Sequence, residues 1–153
     1  MTVRTSAGTT LKVSSAAPAT FNSTGYAALT FTAVGEITDL GEFGREFALV
    51  THNPVGTRGT QKFKGSFNEG TMNLTLGLDT DDAGQVLMKA ASLSDSPYSF
   101  EVTTQNGDKY YFQAMAMSFK VGVGSVDSIT TATCTLELTT SSGGVGIVEV
   151  LSA

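Results

Sequence analysis

Alternation of apolar and polar residues dominates the second half of the chain. In residues 71–78, Met72, Leu74, Leu76 and Leu78 fall on one side of an extended strand, and Thr71, Asn73, Thr75 and Gly77 on the other. The same period runs through residues 129–139, where Ala132, Cys134, Leu136 and Leu138 alternate with Thr131, Thr133, Thr135 and Glu137. Residues 98–102 and 109–119 predict a hairpin. Asn106-Gly107 between them predicts a type I′ turn with two positive φ angles. Strict alternation on the returning strand puts Tyr111, Met115, Met117 and Phe119 on one face and Ala114, Ala116 and Ser118 on the other. Residues 120–127 read as a Gly-rich turn. After the Ser141-Ser-Gly-Gly144 hinge, residues 145–151 form a last apolar segment able to pair as a strand.

The first half is less regular. Residues 1–8 read as a loose arm, 9–13 as a short strand, and 14–24 as a loop rich in Ser, Ala, Thr and Pro. Residues 26–34 predict a strand with Leu29, Phe31 and Ala33 facing one way. Residues 35–70, punctuated by glycine, predict an extended hairpin arm, with strand pieces at 46–51 and 60–64 around an Asn53-Pro54-Val55-Gly56 turn. One helix is predicted over 80–92. Asp79 or Thr80 would cap it, Asp81 and Asp82 suit its positive end, and Ala83, Val86, Leu87, Ala90 and Ala91 form its apolar stripe. The whole reads as one mostly β domain over 1–153: a β-sandwich or partial barrel with one flanking α-helix, the long hairpin arm, and a C-terminal tail at 140–153.

Composition narrows the chemistry. At 153 residues and 41% hydrophobic, the chain can bury one ordinary core. Its single Cys cannot form an internal disulfide, and one Cys with one His is too few for the usual zinc sites. No run of about 20 apolar residues predicts a membrane-spanning helix. The Met1-Thr-Val-Arg4 start leads into polar residues rather than a signal peptide, so synthesis in a cytoplasm is expected. A net charge of −5 disfavours a protein that grips nucleic acid through its phosphates.

No recognisable catalytic constellation is present. His52 lies in an expected turn with no nucleophile in a recognisable motif beside it, and Cys134 sits on an apolar strand face as a buried thiol would. Asp79-Thr-Asp81-Asp82 begins like a calcium loop, but the twelfth position, Ala90, carries no acid, so the helix-capping reading prevails. Gly122-Val-Gly124-Ser125 lacks the lysine of a phosphate loop. No catalytic residue, metal ligand or cofactor is expected. What remains is assembly: Thr-rich strand faces with unblunted edges invite pairing with another chain. Within 35–70, Glu36, Asp39, Glu42 and Glu46 lie against one Arg45 in the first limb, and Arg58, Lys62 and Lys64 in the second. Such limbs either pair with each other or dock on a neighbouring subunit.

The order of these elements resembles the major tail tube proteins of long-tailed, non-contractile bacteriophages. The resemblance covers residues 8–140. It runs through Gly8-Thr-Thr-Leu11, then the apolar-acidic Val34-Gly-Glu-Ile-Thr-Asp-Leu-Gly-Glu42. It continues through Asp81-Asp-Ala-Gly-Gln-Val-Leu-Met88, the Asn106-Gly107 hairpin and the Thr-alternating strand at 129–139. Residues 141–153 extend past the usual core and are too short for an added immunoglobulin-like domain. The resemblance implies a tail tube fold and a structural role in a virion, the chain being made in the bacterial host cytoplasm. It implies hexameric rings stacked into a tube around a tape-measure protein, with initiator and terminator proteins at the ends. DNA would be passing cargo, with no membrane insertion; related tubes occur in gene transfer agents and type VI secretion. Under it, Thr131, Thr133, Thr135 and Glu137 are expected to line the lumen. Glu36, Asp39, Glu42, Glu46, Arg58, Lys62 and Lys64 are expected at contacts between subunits, and the termini between rings. The rivals are another virion ring protein, such as a terminator or head decoration, and a carbohydrate-binding β-sandwich. The absence of Trp disfavours the latter.

Overall fold

The computed structural model describes residues 3–152; Met1 and Thr2 of the expected N-terminal arm, and Ala153 of the tail, lie outside the described residues. In chain order the elements are β1 (Thr10–Ser14), α1 (Ser23–Ala27), β2 (Thr32–Val34), β3 (Ile37–Asp39), β4 (Glu46–His52) and β5 (Gln61–Asn68). They continue with β6 (Thr71–Gly77), α2 (Ala83–Ser92), β7 (Tyr98–Thr103), β8 (Lys109–Gly122), β9 (Thr131–Thr139) and β10 (Val148–Val150). Strands β2-β1-β7-β8-β9-β6-β3 lie side by side in that order, antiparallel throughout. β4 and β5 pair only with each other and form the arm.

The long strand β8 organises the sheet. One edge pairs with β7 from Lys109 to Ala114; the other pairs with β9 from Gln113 to Gly122. On this second edge β10 resumes, at Lys109–Tyr111, the ladder that β9 leaves at Thr139. The alternation read from sequence supplies the core: Met72, Leu74 and Leu76 of β6 and Ala132, Cys134, Leu136 and Leu138 of β9 are buried. They form one cluster with Leu11, Val13, Phe100, Phe112 and the helix residues Met88 and Ala91. This is the mostly β, partial-barrel architecture expected, with a second short helix.

Four local readings are corrected. Residues 23–27 form α1 rather than starting a strand, because the Asn22 side chain caps the helix by accepting from the Gly25 N–H at 2.8 Å. This buries Tyr26, stacked on Tyr111 at 5.4 Å between ring centroids, and delays β2 to Thr32. Helix α2 begins at Ala83 with Asp82 as its cap, and buries Gly84, Gln85, Met88 and Ala91 while Val86 is exposed. The stripe is shifted because the buried Gln85 amide serves the backbone. It donates to the Gly35 and Gly77 carbonyls at 3.1 and 2.9 Å and accepts from the Asp79 N–H at 2.9 Å. In the β7–β8 turn only Gly107 has positive φ (93°), and its N–H closes on the Thr104 carbonyl at 3.0 Å. A type I turn followed by a left-handed glycine has this form.

The fourth correction bears on the surface. A bulge between Ala116 and Ser118 inserts one residue into β8. Ala114 and Ala116 face the core, Met117 is left exposed, and Phe119 and Val121 then lie opposite Cys134 and Ala132, on the core side. A single extra residue exchanges the two faces of everything beyond it.

Candidate functional site

The outward side of β8, β9 and β6 is a lattice of small polar side chains in register. Across the three strands its rows are Thr71, Glu137 and Met115; Asn73, Thr135 and Ser118; Thr75, Thr133 and Lys120; Gly77, Thr131 and Gly122. Thr131, Thr133, Thr135 and Glu137 therefore lie together, away from the core. The Thr71 hydroxyl donates to Glu137 Oε1 at 2.8 Å, and the Thr135 hydroxyl donates to Asn73 Oδ1 at 3.2 Å. These rows carry one acid and one base, Glu137 and Lys120, two rows apart, about 13 Å at ~3.3 Å per residue. Sequence reading missed Lys120 on this face because the bulge carries it there.

Both flanks of this slab are open. Beyond Ala114 the β8 edge on the β7 side has no strand partner, and β3 covers β6 only at Thr75 and Leu76. Unpaired edges of this kind template pairing with another chain.

The residues expected at subunit contacts divide differently from the sequence reading. Glu36, Asp39 and Glu42 do not belong to the hairpin. Ile37 pairs with Leu76 and Asp39 with Thr75, while Ile37, Leu40 and Phe43 pack on the core, drawing this acidic stretch onto the sheet edge. Glu46 starts β4 opposite Asn68, and Arg58, Lys62 and Lys64 lie out on the arm. The expected opposition of an acidic and a basic limb is therefore absent. The ion pair found among the described residues is instead Arg45–Glu69 at the arm root.

That root was not legible. Glu69 is buried, accepting from Arg45 Nε through Oε1 and from the Ile147 N–H through Oε2, both at 2.6 Å. Gly146 packs so closely on the carboxylate that an added Cβ would sit 2.2 Å from Oε2. One side chain thus ties the arm to the segment entering β10. In sequence, Asn68-Glu69-Gly70 looks like an ordinary turn.

Reactive groups are muted. The Cys134 thiol is buried, which pushes its pKa up to about 12. His52 is exposed and ends β4 opposite Gln61, in a strand rather than in the expected turn. Among the described residues, no cluster of His, Cys, Asp and Glu could hold a metal ion, and no helix is long and apolar enough to cross a membrane.

No family model matches the chain, and no curated protein matches it in sequence. Solved structures do match its fold. A chain of the anti-feeding prophage baseplate, solved with six-fold symmetry, superposes with a TM-score of 0.68 at 10% identity, over 98% of this chain and 97% of that one. A chain from the tail of an empty GTA particle with C6 symmetry gives 0.68 at 9% identity, over 99% and 100%. The SPP1 tail tube gives 0.62 at 14% identity, over 94% and 77%. The chain has the fold of tail tube and baseplate proteins.

Proposed function

We propose that this chain, with the fold of tail tube proteins and an outward hydroxyl lattice open at both flanks, is the structural subunit of a bacteriophage tail tube. Hexameric rings would stack into a hollow tube whose inner wall is built from β8, β9 and β6 of all copies. The carrying observation is the slab itself: the open β8 edge of one copy can meet the β6–β3 flank of the next. A head-to-tail contact that closes around a ring leaves no sheet edge exposed. The six-fold symmetry of the baseplate and GTA assemblies supports six copies.

Thr131, Thr133, Thr135 and Glu137 would then line the lumen with Asn73, Ser118 and Lys120. Their single acid and single base give a neutral wall across these four rows. Such a wall suits conduction, since a ring of cations would hold DNA by its phosphates. A tape-measure protein would fill the lumen before ejection. Initiator and terminator proteins would bound the tube, which belongs to a virion made in the host cytoplasm. The tube is proposed to be of the long-tailed, non-contractile kind, which the SPP1 likeness supports.

Negative-stain electron microscopy of concentrated protein tests this. Expected are tubes with a stained channel and a ring repeat on the order of 40 Å, given strands of ~17–20 Å plus loops. Single rings that never lengthen favour the second reading, a one-ring adaptor, which the baseplate likeness supports. A monomer at every concentration counts against both and calls for a glycan screen.

A further inference from the structure

The β7–β8 turn holds a reactive group that an assembly role leaves unused. Of the asparagines Asn22, Asn53, Asn68, Asn73 and Asn106, Asn106 alone precedes a glycine. Glycine has no Cβ, so the Gly107 peptide nitrogen is open to the Asn106 side chain. The turn lies beyond the Thr103–Lys109 end of the β7–β8 ladder, with Gly107 exposed and Asn106 half-buried. The Gly107 N–H bonds to the Thr104 carbonyl at 3.0 Å, a surface turn bond of the kind that local opening releases.

The Asn106 side-chain amide is held at both ends. Its Oδ1 accepts from the Thr104 hydroxyl at 2.6 Å and from the Asp108 N–H at 3.4 Å. Its Nδ2 donates to Asp108 Oδ2 at 3.0 Å. Two donors on one carbonyl oxygen make a small oxyanion hole: they draw electrons from Cγ and stabilise charge that develops on Oδ1. The other oxygen of Asp108 holds the end of the chain. Asp108 Oδ1 accepts from the Ser152 N–H at 2.8 Å and from the Ser152 hydroxyl at 3.0 Å. Asp108 thus joins Asn106 to the segment that follows β10.

We propose that Asn106-Gly107 is a self-modifying site, at which Asn106 loses its side-chain nitrogen as ammonia and the product loosens the hold of Asp108 on Ser152. Hydroxide takes the Gly107 N–H proton, and the nitrogen pair forms a bond to Asn106 Cγ. The carbonyl π pair moves onto Oδ1, where the Thr104 hydroxyl and the Asp108 N–H stabilise it. Its return breaks the Cγ–Nδ2 bond. The leaving nitrogen takes a proton from water and departs as ammonia, which restores the hydroxide. The cyclic imide left behind then adds one water. Opening at Cγ–N gives aspartate; opening at the main-chain carbonyl gives isoaspartate, whose backbone runs through the former side chain. Both products remove the Nδ2 donor and add a negative charge beside Asp108. Two like charges at this separation repel, and the Ser152 tether weakens with the pair.

The test follows the full chain in its native fold at neutral pH by peptide mass spectrometry. Asn106 should show the small mass gain of an NH2-to-OH exchange, resolved into aspartate and isoaspartate, while Asn22, Asn53, Asn68 and Asn73 stay intact. The native chain should react sooner than the same chain in guanidinium, where the turn is gone. Thr104→Val keeps the shape and removes the shorter bond. It should slow the native reaction about ten-fold or more and leave the rate in guanidinium unchanged. Asn106→Asp, the product made by mutation, should exchange the Ser152 amide several-fold faster than wild type at an unchanged melting temperature. A native chain that keeps Asn106 longer than the unfolded chain overturns the self-modification, as does T104V reacting at the wild-type rate. A Ser152 amide as protected in N106D as in wild type overturns the loosening.

Discussion

Replacing Glu69 by Gln removes one charge, keeps the volume, and tests the arm root directly. The carboxylate accepts from two donors on two different oxygens, Arg45 Nε and the Ile147 N–H. An amide has one acceptor oxygen, so one donor must then face an NH2 group. A hydrogen bond to a charged group contributes about 1.5–3 kcal/mol, and a buried donor left unpaired costs about 1–3 kcal/mol. The Arg45 side chain is 40% exposed and can turn to water, so its share is discounted. The amide oxygen can stay on the buried Ile147 N–H with its NH2 turned to Arg45, so the loss is that bond's drop from a charged to a neutral acceptor plus the Arg45 pair, about 2 kcal/mol. For a chain of this size that lowers the melting temperature by roughly 5–10 °C. Urea unfolding gives the magnitude, and hydrogen exchange gives the place. The Ile147 amide and the β10 ladder at Lys109–Tyr111 should lose protection before the β6–β9 ladder does. Arg45→Ala leaves the buried carboxylate without its cation and should cost at least as much as E69Q. An E69Q midpoint equal to wild type, or protection lost first at the β6–β9 ladder, would refute the reasoning.

Three further outcomes follow from local geometry. Asp108 has its pKa lowered, first by the Ser152 N–H it accepts at 2.8 Å, against an opposing effect of desolvation, and further by the Asn106 and Ser152 side chains and by Arg4. Its folded value lies below its unfolded one, so its tether on Ser152 is complete above the ordinary carboxylate range and is lost as pH falls below about 4. The Ser152 amide resonance should move there, and a shift at neutral pH instead would contradict the assignment. Cys134 should resist iodoacetamide at pH 8 in the native protein and react fully in guanidinium; native labelling at the rate of a free thiol would disprove its burial. Gly84→Ala places a Cβ 2.1 Å from the Ala33 carbonyl oxygen and should cost about 2–3 kcal/mol or prevent folding, read by thermal melting; an unchanged melting temperature would mean that α2 has room to move off β2.

What the sequence revealed divides by the range of the forces involved. β6 and β9 were legible because a period of two over seven and nine residues is set by one buried face. The arm turn at residues 53–56 was legible from local turn chemistry. The Met117 bulge was not, because the inserted residue looks like any other member of an apolar strand and only the partner strand registers it. The acidic stretch at residues 36–42 was assigned to the arm by charge, whereas pairing of Ile37 with Leu76 places it on the sheet. At the candidate site, the outward Thr131, Thr133, Thr135 and Glu137 were readable, but Lys120 beyond the bulge was not. Glu69 and Gln85 carry no sequence signal, since their partners Ile147 and Gly35 lie 78 and 50 residues away.

The two strands that share one edge of β8 have a consequence for how the chain tolerates change. β9 departs at Thr139 and β10 returns at Val148. The excursion between them is closed by its own bonds, Ser141 N–H to the Val145 carbonyl at 2.8 Å and Gly144 N–H to the Ser141 carbonyl at 2.9 Å. The tip at residues 142–144 thus projects from a closed neck, and lengthening it disturbs neither ladder. Doubling such a loop costs only about 0.6 kcal/mol in chain entropy. It is a natural graft point, where a peptide or a whole folded module can be carried without rewriting the sheet that bears it.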